Sequence, residues 1–256
     1  MNYIGLITVR TSSSRLKNKC LLYLNKKIRV IEHIILRCID ADLVPILCTS
    51  KNKSDDILIK KAKKFKIKYF RGSEKNKILR WYDCAKNYKL KYFHTVDADD
   101  LYFDPVSIKK SIELAINKRA DLIHPSKISR FGGASEGYTF SISGIEKLKI
   151  SLKNYSYKNI NLFDTEMIDT FVEGINLKEY TLKGQPYEYK SKIRLTLDYK
   201  DDFKIFKILF NRFGTYEKRK IINDYLRKNK KILKMNYFRN MPWLNKQKNF
   251  KKPKKN

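Results

Sequence analysis

The stretch YIGLITVRTSSSRLKNK, residues 3–19, decides the fold that the sequence predicts. Residues 3–9 are a mostly apolar run, which predicts a buried strand. Residues 10–19 are polar and basic, which predicts a loop at the carboxyl end of that strand. A buried strand that ends in a polar loop is typical of a parallel sheet covered by helices, and such sheets bind ligands at the carboxyl ends of their strands.

Strand and helix patterns alternate after this loop. Apolar residues at helical spacing predict helices at residues 29–41, 55–65, 77–88 and 105–118. Short apolar runs predict strands at residues 44–49, 67–70, 92–96 and 121–124. The alternation predicts an α/β protein with a doubly wound, mostly parallel sheet.

The second half of the chain has a less regular pattern. Strands are predicted at residues 138–143 and 193–197, and helices at residues 145–152 and 201–213. We therefore predict a main domain over residues 1–213 and a basic helical extension over residues 214–256. Its last residues, KKPKKN, are predicted to be disordered because they are charged and carry no apolar side chain large enough to anchor them.

The formal net charge is +31, from 57 Lys or Arg residues against 26 Asp or Glu residues. The surplus is mostly lysine and is spread along the chain, which argues against a dedicated nucleic-acid-binding surface. A field this positive nevertheless attracts polyanions, and nucleoside triphosphates are among them.

The sequence carries no sign of export or of a membrane anchor. No apolar run reaches the roughly eighteen residues of a membrane span, and the N-terminus lacks the pattern of a signal peptide, which predicts a cytoplasmic protein. The cysteines form no CxxC pair and have no histidine at metal-ligand spacing, which predicts reduced, buried thiols. They are Cys20, Cys38, Cys48 and Cys84.

The loop after the first strand has the composition of a phosphate-binding segment. Arg10, Arg15 and Lys19 can neutralise phosphate charge, while backbone amides and the hydroxyls of Ser13 and Ser14 can surround phosphate oxygens. No Walker motif is present. From composition alone, a solvated basic turn is an equally good interpretation.

Aspartates gather at the end of the fourth predicted strand. Carboxylates this close together repel one another, and a hard divalent cation such as Mg²⁺ or Mn²⁺ relieves the repulsion. We assign Asp99 to a metal site, and Asp97 is a second candidate in the cluster Asp97-Ala98-Asp99-Asp100. Asp104 stands directly before Pro105, which is the pattern of a helix N-cap.

The order of several motifs resembles that of the CMP-sugar synthetases, and most closely the spore-coat polysaccharide cytidylyltransferase-like branch, which is related to the CMP-KDO and acylneuraminate synthetases. The opening motif is VRTSSSRLKNKCLLYL at residues 9–24, although Lys17 stands where the family has proline. A second motif, RLTLDYKDDF at residues 194–203, resembles the family's segment with its second metal-binding aspartate. Further matches are Glu32-His33 with Arg37, Cys48-Thr49-Ser50 with Asp55-Asp56, Phe70–Glu74 with Arg80, and Asp99 before Asp104-Pro105.

The resemblance implies a Rossmann-like nucleotidyltransferase fold, similar to the GT-A fold, with the transferase domain over residues 1–213. It implies Mg²⁺-dependent transfer of CMP from CTP to a sugar acid or related acceptor, for surface polysaccharide or glycan synthesis. It also implies a possible homodimer. By this resemblance Lys19, Arg10 and Arg15 are catalytic, and Asp99 and Asp198 hold the metal. Asp97 is a further metal candidate, because Asp97-Ala98-Asp99-Asp100 has two acids more than the family's segment, which leaves open which of these carboxylates binds the metal. The implied nucleotide-binding residues are Ser13, Ser14, Thr49, Ser50, Arg71 and Arg80.

Other interpretations of the same residues stay open. Asp97-Ala98-Asp99 also fits the DxD metal motif of a GT-A-type glycosyltransferase, and the charge also fits a nucleic-acid-binding protein with a degenerate enzyme fold. The acceptor candidates Glu136, Asp164 and Glu166 can equally be surface acids. His94 and His124 can act as bases, but we interpret both as structural.

Overall fold

A computed structural model describes residues 2–126, 137–156, 158–185 and 193–248. The strands are β1 (Tyr3–Thr8), β2 (Leu43–Ser50), β3 (Lys68–Gly72), β4 (Tyr92–Asp97), β5 (Leu122–His124), β6 (Thr139–Ser141) and β7 (Glu179–Thr181). They form one sheet in the order β3-β2-β1-β4-β6-β5-β7. β6 runs antiparallel to β4 and β5, and the other described pairs are parallel.

The helices lie between and after these strands. They are α1 (Val30–Asp40), α2 (Asp56–Lys64), α3 (Lys77–Asn87), α4 (Pro105–Lys118), α5 (Ile142–Ser151), α6 (Ile168–Val172), α7 (Lys200–Phe213), α8 (Arg219–Lys228), α9 (Lys230–Tyr237) and α10 (Asn240–Lys248). The predicted alternation over the first 118 residues is therefore confirmed.

Successive residues of β1 feed two separate cores, because neighbouring side chains of a strand point to opposite faces. Leu6 packs with Trp81 of α3 and with residues of α5 and α6. Ile7 packs on the other face with residues of α1, α2, α4, α7 and α8. Helices thus cover both faces of the sheet, and the predicted doubly wound architecture is confirmed.

Side chains begin several helices where the sequence predicts them. Asp104 accepts from the backbone N–H of Val106 (3.2 Å) and from the hydroxyl of Ser107 (2.8 Å), so its prediction as an N-cap is confirmed. Asn76 caps α3 in the same way, accepting from the N–H of Leu79 at 2.9 Å. α3 therefore begins with Lys77 at the carboxyl edge of the sheet.

Two predictions in the second half are wrong in detail. The predicted strand at residues 193–197 pairs with no described strand, although its apolar side chains are buried in the core. The backbone N–H of Leu197 donates instead to the carbonyl of Asp99, beyond the end of β4 (2.8 Å). The predicted strand at residues 138–143 stops at Ser141, whose hydroxyl accepts from the N–H of Gly144 (2.9 Å) and begins α5.

The segment beyond residue 213 packs on the rest of the chain. Ile222 and Leu226 of α8 are buried in the same core as β1, while the predicted disordered tail lies outside the described residues. The four cysteines are free and buried, as predicted. Within the described part of the chain, no helix has both the length and the apolar character needed to cross a bilayer.

Candidate active site

A cavity of about 590 Å³ opens at the carboxyl ends of β1 and β4. It brings together nine of the twelve residues that the sequence assigns to the site. They are Arg10, Ser13, Ser14, Arg15, Lys19, Arg80, Asp97, Asp99 and Asp198. The other three, Thr49, Ser50 and Arg71, do not line it.

The loop after β1 is anchored from beneath by Asp55. One carboxylate oxygen of Asp55 accepts from the backbone N–H (2.8 Å) and hydroxyl (2.7 Å) of Thr11. The other accepts from the hydroxyls of Thr49 (2.9 Å) and Ser50 (2.5 Å). Burial opposes ionisation of Asp55, but the hydrogen bonds from Ser50 and Thr11 outweigh it and lower the pKa. Thr49 and Ser50 therefore hold the carboxylate that positions the loop.

Arg71 is engaged outside the cavity. Its guanidinium donates to the carbonyls of Ser50 (3.1 Å) and Asn52 (2.8 Å) and pairs with Asp56 at 2.7 Å. These contacts tie β3 to the segment after β2. A direct contact of Thr49, Ser50 or Arg71 with nucleotide stays a prediction.

Arg80 supports the opposite rim of the loop. It is 1% exposed and donates to the carbonyls of Ser73 (2.6 Å) and Glu74 (3.0 Å). Glu74 in turn accepts from Ser12 (2.9 Å) and from the guanidinium of Arg10 (3.3 Å to its carbonyl). Gly72 makes room for this arrangement, because a Cβ there would lie 2.8 Å from Cγ of Arg80.

Lys19 joins the two aspartates that the sequence pairs as metal ligands. Its Nζ lies 2.5 Å from Oδ2 of Asp99 and 3.0 Å from Oδ1 of Asp198, and it also donates to the carbonyl of Leu197 (2.9 Å). Arg15 reaches the same oxygen of Asp198 at 2.7 Å. Residues 80 and 179 positions from Lys19 in sequence thus meet at one point.

The opposite charges of this cluster shift the pKa values of Lys19 and Asp198. Burial by itself lowers the pKa of Lys19, but Asp99 and Asp198 outweigh burial and raise it above the usual lysine value. Burial likewise works against ionisation of Asp198, and Lys19 and Arg15 outweigh it, so the pKa of Asp198 is lowered. The shifts of Lys19 and Asp198 both favour the charged forms, which pair with each other at 3.0 Å.

The donor set fits a divalent cation that is shared with phosphate. Asp99 and Asp198 already converge on one cation, the Lys19 ammonium, so their oxygens can reach a common metal ion. Among the described residues no group of three His, Cys, Asp or Glu side chains could form a closed cage. Two carboxylates with the remaining positions left to water and phosphate is the usual way in which proteins bind Mg²⁺.

Asp97 faces a different partner. Its carboxylate lies 3.9 Å from Nζ of Lys77, and neither Lys19 nor Arg15 pairs with it. Burial raises the pKa of Asp97, although Lys77 opposes the rise. A metal-binding role for Asp97 stays a prediction, and its geometry sets it apart from Asp99.

Sequence reasoning missed Lys77 and left Glu166 open. Nζ of Lys77 lies 3.1 Å from Glu166, whose other oxygen lies 3.7 Å from Arg10. Lys77 lowers the pKa of Glu166 to about 2. Lys77 could have been found, because the first turn of a helix that follows β3 must lie at the same edge of the sheet. Asp164 also lines the cavity, whereas Glu136 lies outside the described residues.

Tyr138 and Asp169 line the far end of the cavity. The Tyr138 hydroxyl donates to Asp169 at 3.1 Å. Behind them, His124 lies 2.5 Å from Glu179 and 3.7 Å from Asp169. Burial lowers the pKa of His124, but the two carboxylates outweigh burial and raise it. His94 is fully buried in the sheet and bonds to the hydroxyl of Thr139 at 2.7 Å, away from the cavity.

Comparison with known proteins supports the predicted family. The chain is 29% identical over 249 residues to the uncharacterized protein MJ1063 of Methanocaldococcus jannaschii, which covers 92% of this chain and 95% of that protein. The fold of this chain is similar to that of a cytidylyltransferase from Leptospira borgpetersenii serovar Hardjo-bovis. The TM-score is 0.74 and the identity is 20%, over 91% of this chain and 97% of that one.

A second solved structure has the same fold at lower similarity. It is a CMP:2-keto-3-deoxy-manno-octonic acid synthetase in complex with CTP, with a TM-score of 0.59, 11% identity, and coverage of 83% of this chain and 99% of that one. The predicted Rossmann-like nucleotidyltransferase fold is thereby confirmed. The family model for cytidylyltransferases matches residues 4–239, from β1 to the end of the α9 region. The chain therefore belongs to the cytidylyltransferase family and is a nucleotidyltransferase that uses CTP.

Proposed function

We propose that this protein transfers CMP from CTP to an oxygen of a sugar acid or a related acceptor, with Mg²⁺ or Mn²⁺ as cofactor. One observation carries the proposal: Arg15 and Lys19 of the loop converge on Asp99 and Asp198 in a cavity large enough for a nucleotide. A cation-rich loop beside paired carboxylates is suited to a triphosphate and its metal ion.

In this proposal Asp99 and Asp198 hold the metal ion, which neutralises charge on the phosphates when it is bound. Arg10, Arg15 and Lys19 bind the phosphates and stabilise the charge that builds up on the leaving pyrophosphate. The acceptor oxygen forms a bond to the α-phosphorus while the bond from that phosphorus to pyrophosphate breaks, and the acceptor proton leaves to solvent. Positioning and charge stabilisation therefore supply the catalysis, and no protein nucleophile is needed.

The acceptor assignment rests on two supports. A similar fold belongs to a synthetase named for 2-keto-3-deoxy-manno-octonic acid. Tyr138, Asp164 and Asp169 also line the cavity, and their oxygens can accept hydrogen bonds from sugar hydroxyls. The product would be an activated sugar for polysaccharide or glycan synthesis in the cytoplasm.

The test is pyrophosphate release with each of the four ribonucleoside triphosphates, Mg²⁺ and a panel of sugar acids. We expect turnover with CTP, and a loss of about 100-fold or more in Asp99→Asn and Asp198→Asn. Calorimetry of CTP binding with Mg²⁺ needs no acceptor and should show weaker binding in both variants. Full activity in both variants, or a preference for another nucleotide, would contradict the proposal.

A further inference from the structure

The two proposed metal ligands are held in different ways. Asp99 follows β4 by two residues, so the sheet itself places it. Asp198 lies on the segment 193–198, which pairs with no described strand. A carboxylate on such a segment needs other bonds to fix its position. These bonds come from Arg194 of the segment itself, from Asp202 of α7 and from α9 and α10, the C-terminal helices.

Asp202 and Arg194 are the direct supports of Asp198. One oxygen of Asp202 accepts from the backbone N–H groups of Asp198 and Tyr199, both at 2.9 Å. Arg194 donates to Asp202 at 2.8 Å and 3.2 Å and to Asp198 at 3.5 Å. All three charged side chains are at most 2% exposed, so each needs its partners.

Two asparagines of the last helices complete this network. Asn236 donates through Nδ2 to Asp202 (2.9 Å) and to the carbonyl of Arg194 (3.1 Å). Asn240 accepts from the Arg194 guanidinium at 3.2 Å. Asn236 is 1% exposed and Asn240 is 6% exposed. Asn236 therefore meets the Asp202 carboxylate with a donor, and Asn240 meets the Arg194 guanidinium with an acceptor.

Trp243 of α10 also contacts Arg194 and reaches the cavity. Its ring centroid lies 5.7 Å from Cζ of Arg194, and its side chain lines the cavity beside Asp198 and Arg15. Asn240 and Trp243 lie beyond residue 239, where the match to the family ends. The C-terminal helices thus add contacts that the family match does not include.

We propose that Asn236 and Asn240 are positioning residues for Asp198, and that Trp243 walls the cavity beside it, so that the C-terminal helices complete the active site. The inference rests on the proposed role of Asp198 in binding the metal–CTP complex. It predicts that these residues act on CTP binding through Asp198, and not only on the stability of the fold.

The test measures binding of CTP by calorimetry with Mg²⁺, and binding of Mn²⁺ in the presence of CTP by electron paramagnetic resonance. Asn236→Asp should weaken both about tenfold or more, the usual effect of losing an outer-shell partner of a metal ligand. A carboxylate at this position cannot donate to Asp202. Asn240→Asp should bind nearly as well as the wild type, because its carboxylate still accepts from Arg194, whereas Asn240→Ala should bind more weakly.

Asn245→Ala is the matched control, because Asn245 is exposed on the same helix as Asn240. Circular dichroism and melting temperature report whether each variant folds. The decisive measurement is Asn236→Asp in the Asp198→Asn background. There we expect no further loss of affinity, because the carboxylate that Asn236 positions has already been neutralised.

Each outcome has one meaning. If Asp198→Asn itself leaves binding of CTP and Mn²⁺ unchanged, the proposed role of Asp198 fails. If Asp198→Asn weakens binding but folded Asn236→Asp and Asn240→Ala bind as the wild type does, the inference is overturned. Equal losses from Asn236→Asp in both backgrounds would overturn it as well. Trp243→Ala should weaken CTP binding severalfold, and unchanged binding would remove Trp243 from the site.

Discussion

The two halves of this protein build the active site by different physical means. Residues 3–118 alternate strand and helix; the loop after β1 carries Arg10, Arg15 and Lys19, and α3 begins with Lys77. Residues 137–248 are less regular, with one antiparallel strand and the unpaired segment 193–198, and they carry acids of the cavity wall. Regular structure places the cations and Asp99, whereas side-chain hydrogen bonds hold the backbone at Asp198.

Ion pairs cross between these halves. Lys19 and Arg15 of the first half bind Asp198 of the second, and Lys77 and Arg10 bind Glu166. A triphosphate that binds these cations must compete with their carboxylate partners. Replacing either the cation or the carboxylate of a pair therefore separates the effects of the two halves on nucleotide binding.

The largest expected effect comes from removing a cation of the first half. Lys19→Ala should reduce pyrophosphate release from CTP by about 100-fold or more, the usual consequence of losing one group that stabilises charge in the transition state. It also leaves Asp99 and Asp198 without their shared ammonium, whose distances to them are 2.5 Å and 3.0 Å. Steady-state kinetics with CTP and Mg²⁺ measures the loss.

Lys17→Ala is the matched control, because Lys17 is an exposed lysine of the same loop and does not line the cavity. It should retain most of the activity. Equal losses in the two variants would mean that the general charge of the loop, rather than the position of Lys19, supports the reaction.

The same two halves differ in how far their structure can be predicted from the sequence. In the first half, each strand and its loop are adjacent in sequence, so the pattern of residues 3–19 is sufficient to place Arg10, Arg15 and Lys19 at one edge of the sheet. Asp104 is predictable as a cap for the same local reason.

The second half depends on contacts that are distant in sequence. Residues 193–197 have the apolar pattern of a strand, but side chains hold the backbone beside them. Asp202 accepts from the N–H of Asp198, and Asn236, 42 positions from Arg194, donates to the carbonyl of that residue. Glu166 resembles a surface acid until Lys77, 89 positions away, is seen to bind it. Thr49 and Ser50 match a motif of the family that lies near the nucleotide, and in the structure their hydroxyls bind Asp55, a contact that the motif does not predict.

A smaller effect is expected from removing an acid of the second half. Glu166→Gln frees Arg10 and Lys77 from a competing carboxylate and makes the cavity less negative. We expect CTP with Mg²⁺ to bind about fivefold more tightly, which corresponds to the ~1 kcal/mol typical of a partly exposed ion pair. Calorimetry measures the change.

Asp164→Asn is the control for the general field, because Asp164 lines the same wall and no ion pair of the described residues involves its carboxylate. It should change the affinity less than Glu166→Gln. Weaker binding of CTP by Glu166→Gln would mean that Glu166 orients Arg10 and Lys77 for the nucleotide and does not compete with it.

The smallest expected effect concerns the far end of the cavity, where His124 of β5 pairs with two acids of the second half. Asp169 and Glu179 raise the pKa of His124 in the folded protein above its unfolded value of about 6.5. Stability from these pairs is therefore fully present below that unfolded value and is lost as the pH rises through the higher folded pKa.

His124→Gln should lower the melting temperature by about 2–4 °C at pH 5.5, and by less at pH 9. Glu179→Gln, which removes the partner at 2.5 Å, should show the same dependence. An equal loss at both pH values would mean that His124 contributes through packing against Tyr138 and that its charge does not stabilise the fold.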